Sequence, residues 1–189
     1  DDQECDICVV GGGFAGLSTA IEAAKRGLKV IVLEQYLFGW GASGRNGGQI
    51  WNDVSWGIEV IEKKYDISLA KRIWNISQAA VDLIDDRIKE FNISCDKKNG
   101  GINAATSLAK LKEYEKNMKY KMKTYNYNKL EALDKKSVEK EIGSSLYYGG
   151  ILDYGAGHLH PLKYALGLVK AAASLNAVSY THLRAHETQ

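Results

Sequence analysis

Residues Gly11-Gly12-Gly13-Phe14-Ala15-Gly16 read G-x-G-x-x-G. This glycine spacing suits the holding of a diphosphate on backbone amides. Gly11 permits a tight turn, Gly13 lacks the Cβ that would keep N–H groups away from a pyrophosphate, and Gly16 lets a helix lie close to a strand. Glu34 supplies the second functional group. A carboxylate at the end of the next strand accepts hydrogen bonds from both hydroxyls of an adenosine ribose and repels a 2′-phosphate, which disfavours NADP. A second glycine cluster follows: Gly41, Ala42, Ser43, Gly44, Arg45, Asn46, Gly47, Gly48 and Gln49. Its glycines expose backbone N–H groups to an anion or a ring edge. Ser43 is able to donate to phosphate, Arg45 to pair with it bidentately, and Asn46 to bond polar atoms of a bound cofactor. The alternative is a glycine-rich loop that joins two domains.

These groups need a scaffold, and the surrounding pattern provides one. Asp6–Val10 is a short apolar run, expected to be a parallel strand buried on both faces. A helix from Phe14 to Arg26 would aim its unpaired N-terminal amides and positive dipole end at the phosphates. Ala20, Ala23 and Ala24 keep its packing face slim, and Gly27 stops it. Leu28–Leu33 is the second strand, with Glu34 at its end. Strand, glycine turn, helix, strand and terminal acid together make a dinucleotide-binding βαβ unit.

The middle of the chain reads as a second domain. Ala70, Ile73, Ile76, Ala80, Leu83, Ile84, Ile88 and Phe91 recur at helical spacing and predict a long amphipathic helix from Ser68 to Phe91. A turn at Asn99-Gly100-Gly101 is expected next, flanked by short strands. A Lys-rich helix follows near Ser107–Tyr125, then a short helix capped by Asp134 and ended by Gly143. Tyr147–Leu152 predicts a strand. His158-Leu159-His160-Pro161 precedes a last helix, Leu162–Leu175, with Pro161 suited to its first turn. The two histidines allow a proton shuttle or a ligand pair; the simpler reading is that His160 caps the helix and His158 satisfies a local hydrogen bond.

Composition excludes several classes. A net charge of +2 over 189 residues offers no basic field for nucleic acid, and no apolar run approaches transmembrane length. No secretory signal precedes the first strand, so a cytoplasmic location is expected. Cys5, Cys8 and Cys95 do not make a disulfide framework, and Cys8 enters a strand rather than a helix N-terminus, which argues for a structural role. The chain starts at Asp1 without methionine. Val178–Gln189 reads VSYTHLRAHETQ and resembles the translation of a sequencing adapter, so genuine coding sequence is expected to stop near Ala177. His182-x-x-x-His186-Glu187 lies in that stretch, lacks a third ligand nearby, and is not read as a metal site. No metal is expected.

With VVGGGFAGLSTA, VIVLE, GWGASGRNGGQ and GGILDYGAGHLHPLKYALGLVKAA in view, Cys8–Ala177 resembles the N-terminal part of the FAD-dependent amine and amino-acid oxidoreductases. This is the D-amino-acid oxidase, sarcosine oxidase and glycine oxidase group, and the resemblance is nearest to its gamma-glutamylputrescine oxidase-like members. It implies an α/β fold: a Rossmann-like FAD-binding βαβ domain, incomplete, with part of an α+β substrate domain. By resemblance, 1–54 begin the FAD domain, 55–157 belong to the substrate domain, 158–177 return to the FAD domain, and 178–189 form a non-native tail. The next FAD-domain strand would then lie beyond the genuine sequence. The FAD contacts implied are Gly11, Gly12, Gly13, Phe14, Ala15 and Gly16 at the pyrophosphate, and Glu34 and Gln35 at the adenosine. Gly41, Ala42, Ser43, Arg45, Asn46, Gly47, Gly48 and Gln49 would run beside the pyrophosphate towards the isoalloxazine.

The activity implied is oxidation of a C–N bond in a small-molecule amine or amino acid. Hydride passes to flavin N5, the imine is hydrolysed, and electrons go on to oxygen or another acceptor. No catalytic residue is assigned, since an amine bound unprotonated needs no dedicated base. A dehydrogenase with a non-oxygen acceptor and a non-catalytic flavin-binding subunit are the alternatives, and a plain NAD-binding domain would leave Gly41–Gln49 without a role. Family members are longer, so the chain by itself is expected to be an inactive N-terminal fragment.

Overall fold

The computed structural model describes residues 3–55 and 57–181. In chain order the elements are β1 (Ile7–Val10), α1 (Phe14–Lys25), β2 (Val30–Glu34), a 3-10 turn (Ala42–Gly44), β3 (Gln49–Ile50), α2 (Ile58–Lys64), α3 (Ile67–Glu90), β4 (Lys98–Ala104), α4 (Leu108–Tyr125), β5 (Leu130–Leu133), α5 (Lys135–Ile142), β6 (Gly150–His158), α6 (Pro161–Ser174) and β7 (Val178–Thr181). They form two compact units. One comprises Asp1–Gly48, Asp86–Lys97 and Leu159–Gln189; the other comprises Gln49–Asp85 and Lys98–His158. The fold is mixed α/β with a Rossmann-like βαβ opening.

The first unit holds a parallel sheet in the order β1-β2-β7, with Ile7 opposite Val30 and Ile31 opposite Val178. α1 buries Leu17, Ala20, Ile21 and Ala23, and α6 buries Tyr164, Ala165, Leu168, Ala171 and Ala172. The two helices pack on each other, and their small residues permit the approach. Gly167 of α6 instead makes room for the segment that follows α3, since a Cβ there would lie 2.2 Å from Ile93. Arg87, in the last turn of α3, is buried here, bonding Ser18 Oγ at 2.5 Å and Glu22 at 3.1 Å.

The second unit is antiparallel. β6 is its spine, pairing β3 and β5 along one edge and β4 along the other. Ile58, Ala70, Trp74 and Tyr127 form its core, with Ile61, Ile73, Tyr125 and Leu130 against them. Ser107 Oγ caps α4 and Asp134 caps α5, which ends at Gly143 in the left-handed region (φ 75°). Asp134 is held below its usual carboxylate range because it accepts the Ser137 amide.

The structure corrects several expectations. β1 is not buried on both faces: Val10 is 81% exposed and Cys8 is exposed on one face, while Val9 on the other is buried. In α3 the inward row is Ala70, Trp74, Ser77, Val81, Ile84 and Ile88, leaving Ile76 and Leu83 exposed. Trp74 sets that rotation by packing edge-on against Tyr127. Asn99-Gly100-Gly101 is not a turn; β4 runs through it with an irregularity that Gly100 absorbs at φ 96°. β6 extends to His158, well past Leu152. The chain does not stop short of the next strand of the first sheet either. Val178–Thr181 form β7, which pairs in parallel with β2. The unit boundaries fall at Gly48/Gln49 and His158/Leu159, and Asp86–Lys97 joins the first unit rather than the second. His182, His186 and Glu187 lie outside the described residues. Among the described residues no helix is long and apolar enough to cross a membrane, and no group of three His, Cys, Asp or Glu is placed to hold a metal.

Candidate cofactor site

The site lies in the first unit, at the turn between β1 and α1. Gly11 takes φ 104°, a conformation that glycine reaches without steric penalty, and its amide donates to the Leu33 carbonyl at 2.7 Å. The turn is thereby tied to the end of β2. The Gly12 amide donates to Glu34 Oε2 at 2.6 Å, and the Tyr36 amide donates to Glu34 Oε1 at 2.9 Å. Each carboxylate oxygen keeps a lone pair for a further donor. A Cβ on Gly16 would lie 1.9 Å from the Gly11 carbonyl oxygen, so only glycine fits where helix and turn meet.

The second glycine cluster folds back onto this turn. Ser43 Oγ accepts the Phe14 amide at 3.0 Å, which leaves the hydroxyl hydrogen free to donate elsewhere. A Cβ on Gly13 would fall 2.8 Å from that Oγ, so the middle glycine makes room for Ser43. Arg45 is exposed, donating through Nε to the Trp40 carbonyl at 2.6 Å with its guanidinium over the Trp40 ring at 4.1 Å. Asn46 staples its own loop: Nδ2 donates to Ala42 and Ser43 carbonyls and Oδ1 accepts the Gly48 amide. Its polar atoms are thus spent inside the loop. Gly48 (φ 71°) accepts the Leu159 amide on its carbonyl at 3.0 Å. Ala15, Gln35, Gly41, Ala42 and Gly47 are exposed. Gln49 falls in the second unit, where it pairs with His158.

Sequence reasoning missed two parts of this arrangement. Phe38 packs on Gly12, since a Cβ there would sit 2.2 Å from its ring, and Tyr164 stacks against Phe14 at 5.6 Å between centroids. The aromatic run Tyr36, Phe38, Trp40 was a visible signal; Tyr164 had none, because its contact crosses the whole chain. His160 Nδ1 accepts the Lys163 amide at 3.4 Å as the cap of α6, while His158 sits in β6.

The residues present fit a dinucleotide. The N-cap residue Gly13 has no side chain to cap α1 and its first turn carries no acid, so the amides beyond the one Ser43 takes are open to an anion. The amides of Ala15 and Gly16 donate to no acceptor among the described residues. Glu34 is fixed by two amides and keeps lone pairs on both oxygens, an acceptor set that a ribose diol would complement.

Comparison with known proteins decides which dinucleotide family this is. The sequence model described as DAO, FAD dependent oxidoreductase, matches residues 6–189. The chain belongs to the FAD-dependent oxidoreductase (DAO) family. A probable oxidoreductase OrdL of Haemophilus influenzae is 41% identical over 173 residues, covering 92% of this chain and 40% of that protein. The gamma-glutamylputrescine oxidoreductase of Escherichia coli is 42% identical over 166 residues, covering 86% and 38%. The chain thus spans about two fifths of the length of these curated relatives. The L-amino acid deaminase of Proteus myxofaciens superposes with a TM-score of 0.78 at 18% identity, covering 96% of this chain and 39% of that one. The glycine oxidase of Geobacillus kaustophilus gives 0.71 at 22%, covering 94% and 46%. At these identities the structures establish the DAO fold alone. FAD is the cofactor of the family, and the β1–α1 turn with Glu34 fits it.

Proposed function

We propose that the whole protein oxidises a C–N bond in a small amine or amino acid. The observation that carries this is the membership of the DAO family, joined to a relative 42% identical that is named for gamma-glutamylputrescine. When bound, FAD supplies the hydride acceptor and the route for electrons to oxygen or another acceptor.

The chain's own residues do the holding. Amides at the start of α1 and the Ser43 hydroxyl would take the pyrophosphate, and Glu34 the ribose. Gly41, Ala42, Arg45, Asn46, Gly47, Gly48 and Gln49 would line the path onward, with Arg45 and Asn46 shaping the loop rather than reaching out of it. The substrate nitrogen must be neutral when hydride leaves its neighbouring carbon; water then adds to the resulting imine and releases a carbonyl compound with an amine or ammonia. Among the described residues the three cysteines form no disulfide, and the cytoplasm is the proposed setting.

The test is anaerobic mixing of the FAD-loaded whole protein with gamma-glutamylputrescine, sarcosine and D-amino acids. Bleaching of the visible flavin band by one of them is the expected result. A flavin that stays oxidised with every amine would overturn the reading.

A further inference from the structure

Arg87 puts a charge against the flank of α1 while being only 3% exposed. Nη1 donates to Ser18 Oγ at 2.5 Å and Nη2 to Glu22 Oε1 at 3.1 Å. Nε, also buried, meets no acceptor among the described residues. The Glu22 side chain, by contrast, is 47% exposed, so water and salt screen its charge far more than that of the guanidinium. Lys25 and Glu90, further towards the C-terminal end of α1, pair with each other at 2.5 Å and largely cancel. The guanidinium is therefore the least screened charge on this flank of the helix.

Its place along α1 gives this charge a use. Ser18 follows closely on Ala15 and Gly16, whose amides have no acceptor among the described residues. The separation is roughly 3–5 Å along the axis at about 1.5 Å per residue, and helical side chains lean towards the N-terminus. An anion on those amides would thus lie on the order of 10 Å from the guanidinium, with Glu22 about one turn further away. A charge acting through packed protein is felt more strongly than one acting through water. We propose that Arg87 strengthens cofactor binding at a distance, its buried charge adding to the positive end of α1 and favouring the pyrophosphate of FAD there. Arg87 is then a positioning residue that acts through α1 by charge, and this rests on the β1–α1 turn being the FAD site.

Calorimetric titration of the full chain, freed of flavin, with ADP and with AMP tests this without any turnover. Arg87→Met removes the charge and keeps an unbranched side chain; ADP affinity should fall about tenfold and AMP affinity less, in step with ligand charge. Arg87→Lys keeps the charge but lacks the planar fork that spans Ser18 and Glu22, and should stay within about threefold of wild type. Glu22→Gln alters a half-exposed side chain and should tighten ADP about twofold, by leaving the guanidinium less compensated. It and Arg87→Lys decide the matter even where Arg87→Met fails to fold. Equal losses for ADP and AMP, an Arg87→Lys variant as weak as Arg87→Met, or no gain in Glu22→Gln overturns the proposal. A wild-type chain that binds no ADP overturns the FAD site itself, and the proposal with it.

Discussion

Glu34 Oε2 accepts the amide of Gly12 at 2.6 Å, joining positions 22 residues apart. The carboxylate that suits a ribose is thus also the clamp that closes the glycine turn onto the end of β2. Replacing it should affect two things together. Glu34→Ala frees the Gly12 and Tyr36 amides and removes the proposed ribose acceptor, so FAD affinity should fall about ten- to a hundredfold. Glu34→Gln retains an acceptor and should lose less. Quenching of flavin fluorescence on titration gives both values; affinities equal to wild type would remove Glu34 from the site.

Gly16 is a steric requirement. A Cβ at this position meets the Gly11 carbonyl oxygen at 1.9 Å, and backbone cannot swing aside as a side chain can. Gly16→Ala should cost about 1–3 kcal/mol in a urea melt, as other overpacked sites do. Gly11→Ala meets no atom within 4 Å but retains φ 104°, so its smaller cost is backbone strain alone.

Ser43 couples the two glycine clusters by accepting the Phe14 amide at 3.0 Å. Ser43→Ala leaves that amide without its acceptor, with a stability loss of about 0.5–2 kcal/mol expected from comparable helix caps. Flavin affinity should fall as well. A stability change with unaltered affinity would mean that the hydroxyl serves the fold alone.

Tyr127 should make the protein sensitive to base. Burial, and then its bond to Asp153, push the phenol well above its ordinary value of 10.0. Above pH 10 the unfolded chain therefore loses this proton while the folded one keeps it. Stability from this group is complete below pH 10 and declines as pH rises towards the folded value. Urea midpoints measured from pH 8 upward should fall beyond pH 10, and Tyr127→Phe should reduce that slope while costing about 1–3 kcal/mol at neutral pH. A slope unchanged in Tyr127→Phe would assign it to other groups.

Much of the molecule was written in local sequence. The turn Gly11–Gly16, the acid at Glu34, and the caps Ser107, Asp134 and His160 were legible because each works within a few residues of itself, through dihedral freedom or one short hydrogen bond. The family followed from the same motifs. What the sequence could not decide depended on partners far away in the chain. Which row of α3 turns inward was set by Trp74 meeting Tyr127, and the exposure of Cys8 by packing that covers only the face of β1 that carries Val9. Val178–Thr181 became a strand because β2 offered an edge to pair with, a circumstance no local pattern records. Arg45 and Asn46 have side chains equally able to reach a ligand or bond their own loop, and only the folded backbone, by presenting the carbonyls of Trp40, Ala42 and Ser43 within reach, chose the second.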